Sequence, residues 1–303
     1  MRKAIDITGI VQGVGFRPFV YRLAQECNLT GFIANTPAGV TVEVQGEPDL
    51  LDRFLERLPS EIPRLAKITS LLPRDAEPQL ETVFRIDSSR LDSPSTALIS
   101  PDVSVCDDCL REMMSPRDRR FHYPFINCTN CGPRFTIIRD IPYDRARTSM
   151  DSFQMCAACQ SEYDDPANRR FHAQPNACWD CGPQLQLLSA DGALLNVAEP
   201  LRDAARLLDQ DRIVAVKGLG GFHLACNARS DSAVNLLRER KRRVEKPFAV
   251  MLRRIEDVER FCAIDDAARK LLLSIERPIV LLPRKPNAGL ADNIAPRNRF
   301  LGV

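Results

Sequence analysis

The chain has 303 residues, 42 of them Lys or Arg and 40 Asp or Glu, for a formal charge of +2. That balance, with 27% charged residues, excludes an acidic disordered chain and a polybasic nucleic-acid tail. No apolar run is long enough to span a membrane, and Met1-Arg2-Lys3 leads straight into an alternating stretch with Asp6, which is no signal peptide. The length predicts two or three domains. Polar and Pro-bearing clusters at 88–94 and 189–192 divide it into blocks 1–91, 92–188 and 189–303, an α+β multidomain chain.

In the first block, residues 4–10 read as a strand. Gly9-Ile10-Val11-Gln12-Gly13-Val14-Gly15-Phe16-Arg17-Pro18 leads from it into a helix, with Pro18 at the first helical position and Val20, Leu23, Ala24 and Cys27 on one face. A glycine-bearing loop that opens a helix turns backbone N–H groups towards one point, a nest of phosphate size, and Arg17 adds a positive fork there. Strands at 32–36 and 40–44 form a hairpin around Pro37-Ala38-Gly39. A second helix carries Leu50, Leu51, Phe54, Leu55 and Leu58, and strands follow near 66–72 and 82–86. The order βαββαβ predicts a ferredoxin-like sandwich.

The second block is a duplication. Cys106-Asp107-Asp108-Cys109 is followed after 18 residues by Cys128-Thr129-Asn130-Cys131. Fifty positions on, Cys156-Ala157-Ala158-Cys159 leads after another 18 to Cys178-Trp179-Asp180-Cys181. Arg119-Arg120-Phe121-His122 recurs as Arg169-Arg170-Phe171-His172, and Glu112 and Pro116 recur as Glu162 and Pro166. Paired C-x2-C knuckles supply four thiolates for a closed tetrahedral site, so two structural Zn2+ ions are expected. Gly132 and Gly182 suit a left-handed turn after each second knuckle. His122 and His172 are fifth candidates in each repeat. Closure within each repeat or across repeats stays open, within-repeat being simpler. Disulfides need an oxidising compartment, and redox CxxC pairs need a thioredoxin-like setting that four evenly placed pairs do not offer. Eleven cysteines, eight in metal spacing, indicate a reducing compartment, the cytoplasm. Cys27, Cys226 and Cys262 read as small buried hydrophobes.

In the third block, 200–210 reads as a helix striped by Leu201, Ala204, Ala205, Leu207 and Leu208, and 212–216 as a buried strand. A flexible loop, 217–228, follows, where backbone can approach a ligand. A helix at 232–240 ends in Arg238-Glu239-Arg240-Lys241-Arg242-Arg243, and a short strand is expected at 246–251. A basic cluster at a helix C-terminus suits the helix dipole, and with a glycine loop it could equally hold RNA phosphates.

Three resemblances attach to these residues. Val11-Gln12-Gly13-Val14-Gly15-Phe16-Arg17, with Asn35 beyond it, resembles the acylphosphatase signature. It implies Arg17 and Asn35 as catalytic residues: Gln12, Gly13, Val14, Gly15, Phe16 and Arg17 hold the phosphoryl group and Asn35 orients the attacking water. Lys241-Arg242-Arg243-Val244-Glu245-Lys246-Pro247-Phe248-Ala249-Val250-Met251 resembles the YrdC family. It implies a partial α/β YrdC-like domain that binds ATP, with Mg2+ accompanying it, and forms a carbamoyl-type adenylate. Lys217, His223, Lys241 and Arg243 fall at its nucleotide-contact positions, and double-stranded RNA binding is attached to that fold. The order of the blocks, with Phe121-His122-Tyr123-Pro124-Phe125-Ile126-Asn127-Cys128-Thr129-Asn130-Cys131-Gly132-Pro133, resembles the hydrogenase maturation carbamoyltransferases, the HypF family. That resemblance implies hydrolysis of carbamoyl phosphate to carbamate and phosphate, then activation of carbamate by ATP. A further domain, outside this N-terminal portion, passes the carbamoyl group to the C-terminal cysteine of a HypE-type maturation protein. A stand-alone acylphosphatase with an accessory zinc domain, or an RNA-binding zinc-finger protein, is the alternative.

Overall fold

Strand β1 (Arg2–Ile10) alternates so that Ile5 and Ile7 face a core while Asp6 and Thr8 do not. The computed structural model describes residues 1–90, 96–218, 220–286 and 288–303. These form two compact units, Met1–Pro183 and Gln184–Val303. The expected boundary at 88–94 runs into residues 91–95, which lie outside the described residues.

The first unit begins with β1, α1 (Phe16–Glu26), β2 (Thr30–Thr36), β3 (Gly39–Gln45), α2 (Pro48–Ser60), β4 (Lys67–Ala76) and β5 (Phe84–Ile86). The sheet runs β4-β1-β3-β2-β5; every neighbouring pair is antiparallel except β2–β5, which is parallel. This is the ferredoxin-like sandwich the sequence predicts, with short β5 added at one edge. Helices α1 and α2 pack Val20, Leu23, Leu51, Phe54 and Leu58 against Ile5, Ile33 and Val42 of the sheet. Leu51, Phe54 and Leu58 fall on one face of α2, and Pro48 opens that helix where its missing N–H costs nothing. The reading of Pro18 needs correction. The helix starts at Phe16, so Pro18 is its third residue, still among the N–H groups without an intrahelical acceptor.

The cysteine repeats fold as near copies. Helix α3 (Asp107–Met114) has Cys106 at its N-cap, and α4 (Ala157–Asp164) has Cys156 there; the second ligands, Cys109 and Cys159, follow in the first turn of each. Thiolates so placed meet the positive helix end. Between the copies, residues 139–152 form an irregular tether with two short 3-10 turns, Arg145–Arg147 and Ser149–Ser152.

The second unit holds α5 (Pro200–Asp209), β6 (Val214–Lys217), β7 (Phe222–Ala225), α6 (Asp231–Lys241), α7 (Ile255–Phe261), α8 (Asp266–Leu272), β8 (Leu281–Pro283) and β9 (Phe300–Gly302). Its core gathers Val250, Val258, Phe261, Cys262, Leu282, Ile294 and Leu301. Two readings change. The expected loop at 217–228 contains β7, paired antiparallel to β6. The expected strand at 246–251 reduces to a bridge between Ala249 and Gly302, with Val250 N–H donating to Gly302 O at 2.8 Å. The apolar stripe of α5 is not buried, and Leu201 is 57% exposed. Of the three cysteines outside the repeats, Cys27 and Cys262 are buried and Cys226 half-buried.

Candidate active site and metal centres

The eight repeat cysteines gather as two sets, Cys106, Cys109, Cys128 and Cys131, and Cys156, Cys159, Cys178 and Cys181. Closure is therefore within each repeat. Neighbouring sulfurs lie 3.5–3.8 Å apart. That is too long for a disulfide, and a zinc ion with bonds of about 2.3 Å makes a tetrahedron with edges of about 3.8 Å. The residues present therefore fit a zinc finger. His122 and His172 are not ligands. Each takes a left-handed backbone conformation, φ 57° and 53°, and each ring packs on the preceding Phe.

The two glycines after the knuckles differ, which corrects a single explanation for both. Gly132 has φ 95°, where a side chain strains the backbone. Gly182 is not among the positive-φ glycines; a Cβ there would run into the Tyr123 hydroxyl and lie 2.6 Å from the Ala177 Cβ. Close packing, not handedness, requires it.

The repeated Arg-Arg pairs serve the opposite copy. Arg119 Nη2 donates to Cys159 Sγ at 3.2 Å and to Glu162 at 2.7 Å. Arg120, 1% exposed, donates to Glu162, Asn176 Oδ1 and Ala177 O. In return Arg169 Nη1 donates to Cys109 Sγ at 3.0 Å, while Arg170 pairs with Glu112 and donates to Asn127 O. Burial opposes ionisation of Glu162, but its hydrogen bond and charge pairing with Arg120 win and hold the carboxyl down at about 2. Sequence reasoning noted these residues without seeing their use. Their shared register, without ligand chemistry, was the available signal.

The nest sits in the same unit. Gly13 and Gly15 take φ 70° and 75°, the left-handed turn that brings the chain into α1. Among the described residues, the N–H groups of 13–17 meet no acceptor outside their own helix. Val14 and Phe16 bury their side chains in the core, so they leave only backbone groups to the nest. The Gln12 side chain is committed elsewhere: Nε2 donates to Thr36 O and Gly39 O at 2.8 and 2.7 Å, and Oε1 accepts from Tyr143 N–H at 2.8 Å. Asn35 lies on β2 at 1% exposure, and Arg17 on α1 at 9%. Both point a donor at Tyr143 O, at 3.5 Å each. Asn35 Oδ1 is buried with no partner among the described residues.

Other residues at the nest came without a motif. Arg17 Nη2 pairs with Asp144 Oδ1 at 2.9 Å. Arg134, 2% exposed, donates to Gly13 O at 2.7 Å and to the carbonyls of Cys131 and Thr129, so the second knuckle of the first finger grips the nest directly. His172, Gln174 and Tyr143 help line a cleft of about 30 Å³ beside Arg17. Burial, then the Arg17 charge, pushes the His172 imidazole down to about 4; burial pushes the Tyr143 phenol up to about 12.

In the second unit Lys217 and His223 stand on the paired strands β6 and β7, with Leu219 between them outside the described residues. Lys217 Nζ rests 4.9 Å from the Phe222 ring centre. Lys241 is exposed at the end of α6. Arg243 is already engaged: it donates to Lys246 O and Pro247 O and lies over Phe248. No hydrogen bond or ring contact joins Lys217 or His223 to Lys241 or Arg243 among the described residues. Arg238, absent from the expectations, is 5% exposed and ties α6 to Asn293 O, Ile294 O and Arg243 O.

Comparison with known proteins places these features in a family. Residues 3–86 match the family described as Acylphosphatase, 105–138 and 155–188 the HypF finger, and 206–303 the Sua5, YciO and YrdC family described as Telomere recombination. The chain is 50% identical over 301 residues to Carbamoyltransferase HypF of Synechocystis sp., a match covering 99% of this chain and 39% of that protein. It is 48% identical over 306 residues to Carbamoyltransferase HypF2 of Cupriavidus necator, covering 100% of this chain and 38% of the relative. Among solved structures it resembles full-length HypF in a phosphate- and nucleotide-bound form, with TM-score 0.93 and 48% identity over 100% of this chain and 39% of that one. It also resembles HypF of T. kodakarensis, with TM-score 0.91 and 44% identity over 100% and 38%. The chain thus spans about two fifths of the length of these relatives. No helix of the described residues is long and apolar enough to cross a membrane.

Proposed function

We propose, for a chain that belongs to the HypF carbamoyltransferase family, that it performs the opening step of a carbamoyl transfer, hydrolysis of carbamoyl phosphate at Arg17 and Asn35. One observation carries the reading. Side chains from two different elements aim their donors at one oxygen, the Tyr143 carbonyl, beside a loop whose N–H groups lack outside acceptors. Such convergence of donors suits a phosphoryl group.

In this reading Arg17 and the loop amides neutralise the phosphoryl dianion, and the unpartnered Asn35 Oδ1 accepts a hydrogen bond from the attacking water. Water adds to phosphorus, the bond from phosphorus to the carbamoyl oxygen breaks, and carbamate leaves with the bonding pair. A mixed anhydride already carries a good leaving group, so positioning and charge supply the rate. The zinc fingers act as scaffold: four thiolates leave no open coordination position for chemistry, and Arg134 ties the second knuckle of the first finger to the nest. Residues 189–303 then activate carbamate with ATP and Mg2+, through Lys217, His223, Lys241 and Arg243. Transfer to a HypE-type acceptor falls to family sequence this chain does not span. The thiolate-rich blocks suit the reducing cytoplasm.

The test is phosphate release from carbamoyl phosphate by the zinc-loaded chain. Arg17→Ala and Asn35→Ala are expected to abolish release with zinc content unchanged; hydrolysis persisting in both removes the assignment. A stand-alone acylphosphatase would show no carbamoyl-phosphate-dependent exchange of pyrophosphate into ATP, even when extended to the full family length.

A further inference from the structure

The cradle for the phosphoryl group already holds an anion, and it belongs to the protein. Asp144, in the tether between the two fingers, sets Oδ1 2.9 Å from Arg17 Nη2, and its other oxygen accepts a hydrogen bond from the Ser89 hydroxyl. The adjacent Tyr143 carbonyl takes the donors of Arg17 and Asn35. Two acceptors from the tether, 126 and 127 residues from Arg17, therefore occupy its Nη2, and one of them, Tyr143 O, also takes the Asn35 amide. The Arg17 side chain is only 10% exposed, so a ligand that takes its Nη2 competes with this ion pair.

The backbone on either side of that carboxylate is pinned. Tyr143 N–H donates to Gln12 Oε1 at 2.8 Å, Arg145 N–H donates to Gln174 Oε1 at 2.7 Å, and the Arg145 guanidinium donates to Gln174 O and Asn176 O. The Asp144 side chain itself is 28% exposed. Rotation about its own side-chain bonds would release the carboxylate from Arg17 and Ser89 without moving the tether, leaving Tyr143 O in place.

We propose that Asp144 is a specificity-determining residue of the phosphoryl cradle, an internal anion that a phosphoryl dianion displaces on binding and that displaces product phosphate in turn. The inference rests on the reading of Arg17 as the phosphoryl grip. It sets a threshold. A dianion outcompetes a single carboxylate, whereas a monocarboxylate gains nothing over the residue already there. It also shortens the stay of inorganic phosphate, which would otherwise inhibit the next turnover.

Isothermal titration of the zinc-loaded chain with inorganic phosphate tests this. Asp144→Asn keeps the shape and removes the charge, and is expected to tighten phosphate binding on the order of tenfold. Phosphate inhibition of carbamoyl phosphate hydrolysis should deepen to match, with KM lowered and kcat reduced by slower product release. Ser89→Ala, which releases the other carboxylate oxygen, should move binding the same way by a smaller factor. Acetate should bind Asp144→Asn better than it binds the parent. Phosphate binding unchanged or weakened in Asp144→Asn, in protein that retains two zinc ions, overturns the proposal and makes Asp144 a brace for Arg17. Arg17→Ala separates the two readings. If it abolishes phosphate binding while Asp144→Asn has no tightening effect, the cradle stands and the internal anion falls. If Arg17→Ala leaves phosphate binding intact, the cradle itself is misassigned.

Discussion

Replacing Arg119 with Ala should loosen the metal centre of the other repeat. Arg119 belongs to the copy that holds Cys106 to Cys131, yet its guanidinium donates to Cys159 Sγ at 3.2 Å. A tetrathiolate zinc centre carries two net negative charges, which that guanidinium partly offsets. A charge-assisted hydrogen bond contributes about 1.5–3 kcal/mol net. With the Arg119 side chain 32% exposed and Arg120 also near Cys159, the lower end applies, about 1.5 kcal/mol or roughly tenfold in zinc release. The assay is competition with a chromogenic chelator, followed by alkylation and mass spectrometry to find which cysteines become free first. Arg119→Ala should free Cys156, Cys159, Cys178 and Cys181 first; Arg169→Ala, acting on Cys109, should free Cys106, Cys109, Cys128 and Cys131 first. If each variant loosens the cluster of its own repeat, or neither changes the order, the crossed brace has no energetic weight.

Glu162→Gln should destabilise the zinc-loaded chain at neutral pH. The carboxyl sits at about 2 against an ordinary 4.5, so its contribution is complete above pH 4.5 and vanishes as pH falls towards 2. Allowing for a side chain 20% exposed, the difference from the parent should be on the order of 2–3 kcal/mol at pH 7. Equal denaturant midpoints for Glu162→Gln and the parent at pH 7, both with two zinc ions bound, would contradict it. His172 should remain neutral until the pH approaches 4, giving no imidazole shift change by NMR between pH 7 and 5. Because its pKa is lower folded than unfolded, it withdraws stability as pH drops from 6.5 to 4. Gly182→Ala should cost about 1–3 kcal/mol through overpacking against Tyr123 and Ala177, read as a lowered Tm with zinc bound. Phe54→Ala, removing a side chain with no exposure from the sandwich core, should cost about 3–5 kcal/mol in chemical denaturation.

Metal ligation was legible in the sequence because a C-x2-C knuckle is a local object: spacing alone puts two sulfurs on one short turn, which is a helix start for Cys106/Cys109 and Cys156/Cys159. The strand and helix order of the first block was legible for a similar reason, since periods of two and near four residues report which face is buried. The nest, Arg17 and Asn35 could be named from local pattern and resemblance. Local pattern failed where pairing decides structure. Residues 222–225 look like loop, with glycines just before them, yet they pair with 214–217; residues 246–251 look like a strand and find only a bridge.

By itself, then, the amino-acid order determined the four cysteine knuckles, the glycine-bearing turn and the alternation of the first sheet, all of which act over a few residues, while the structure decided which knuckles share a site. The tertiary structure alone decided that Arg119 and Arg169 cross to opposite clusters, that Arg134 joins a metal knuckle to the nest, and that Asp144 lies on Arg17. Those contacts span 40 to 127 residues. A charged side chain carries no mark of which distant partner it will meet, because an ion pair depends on distance in space and on burial, and both exist only once the chain has closed.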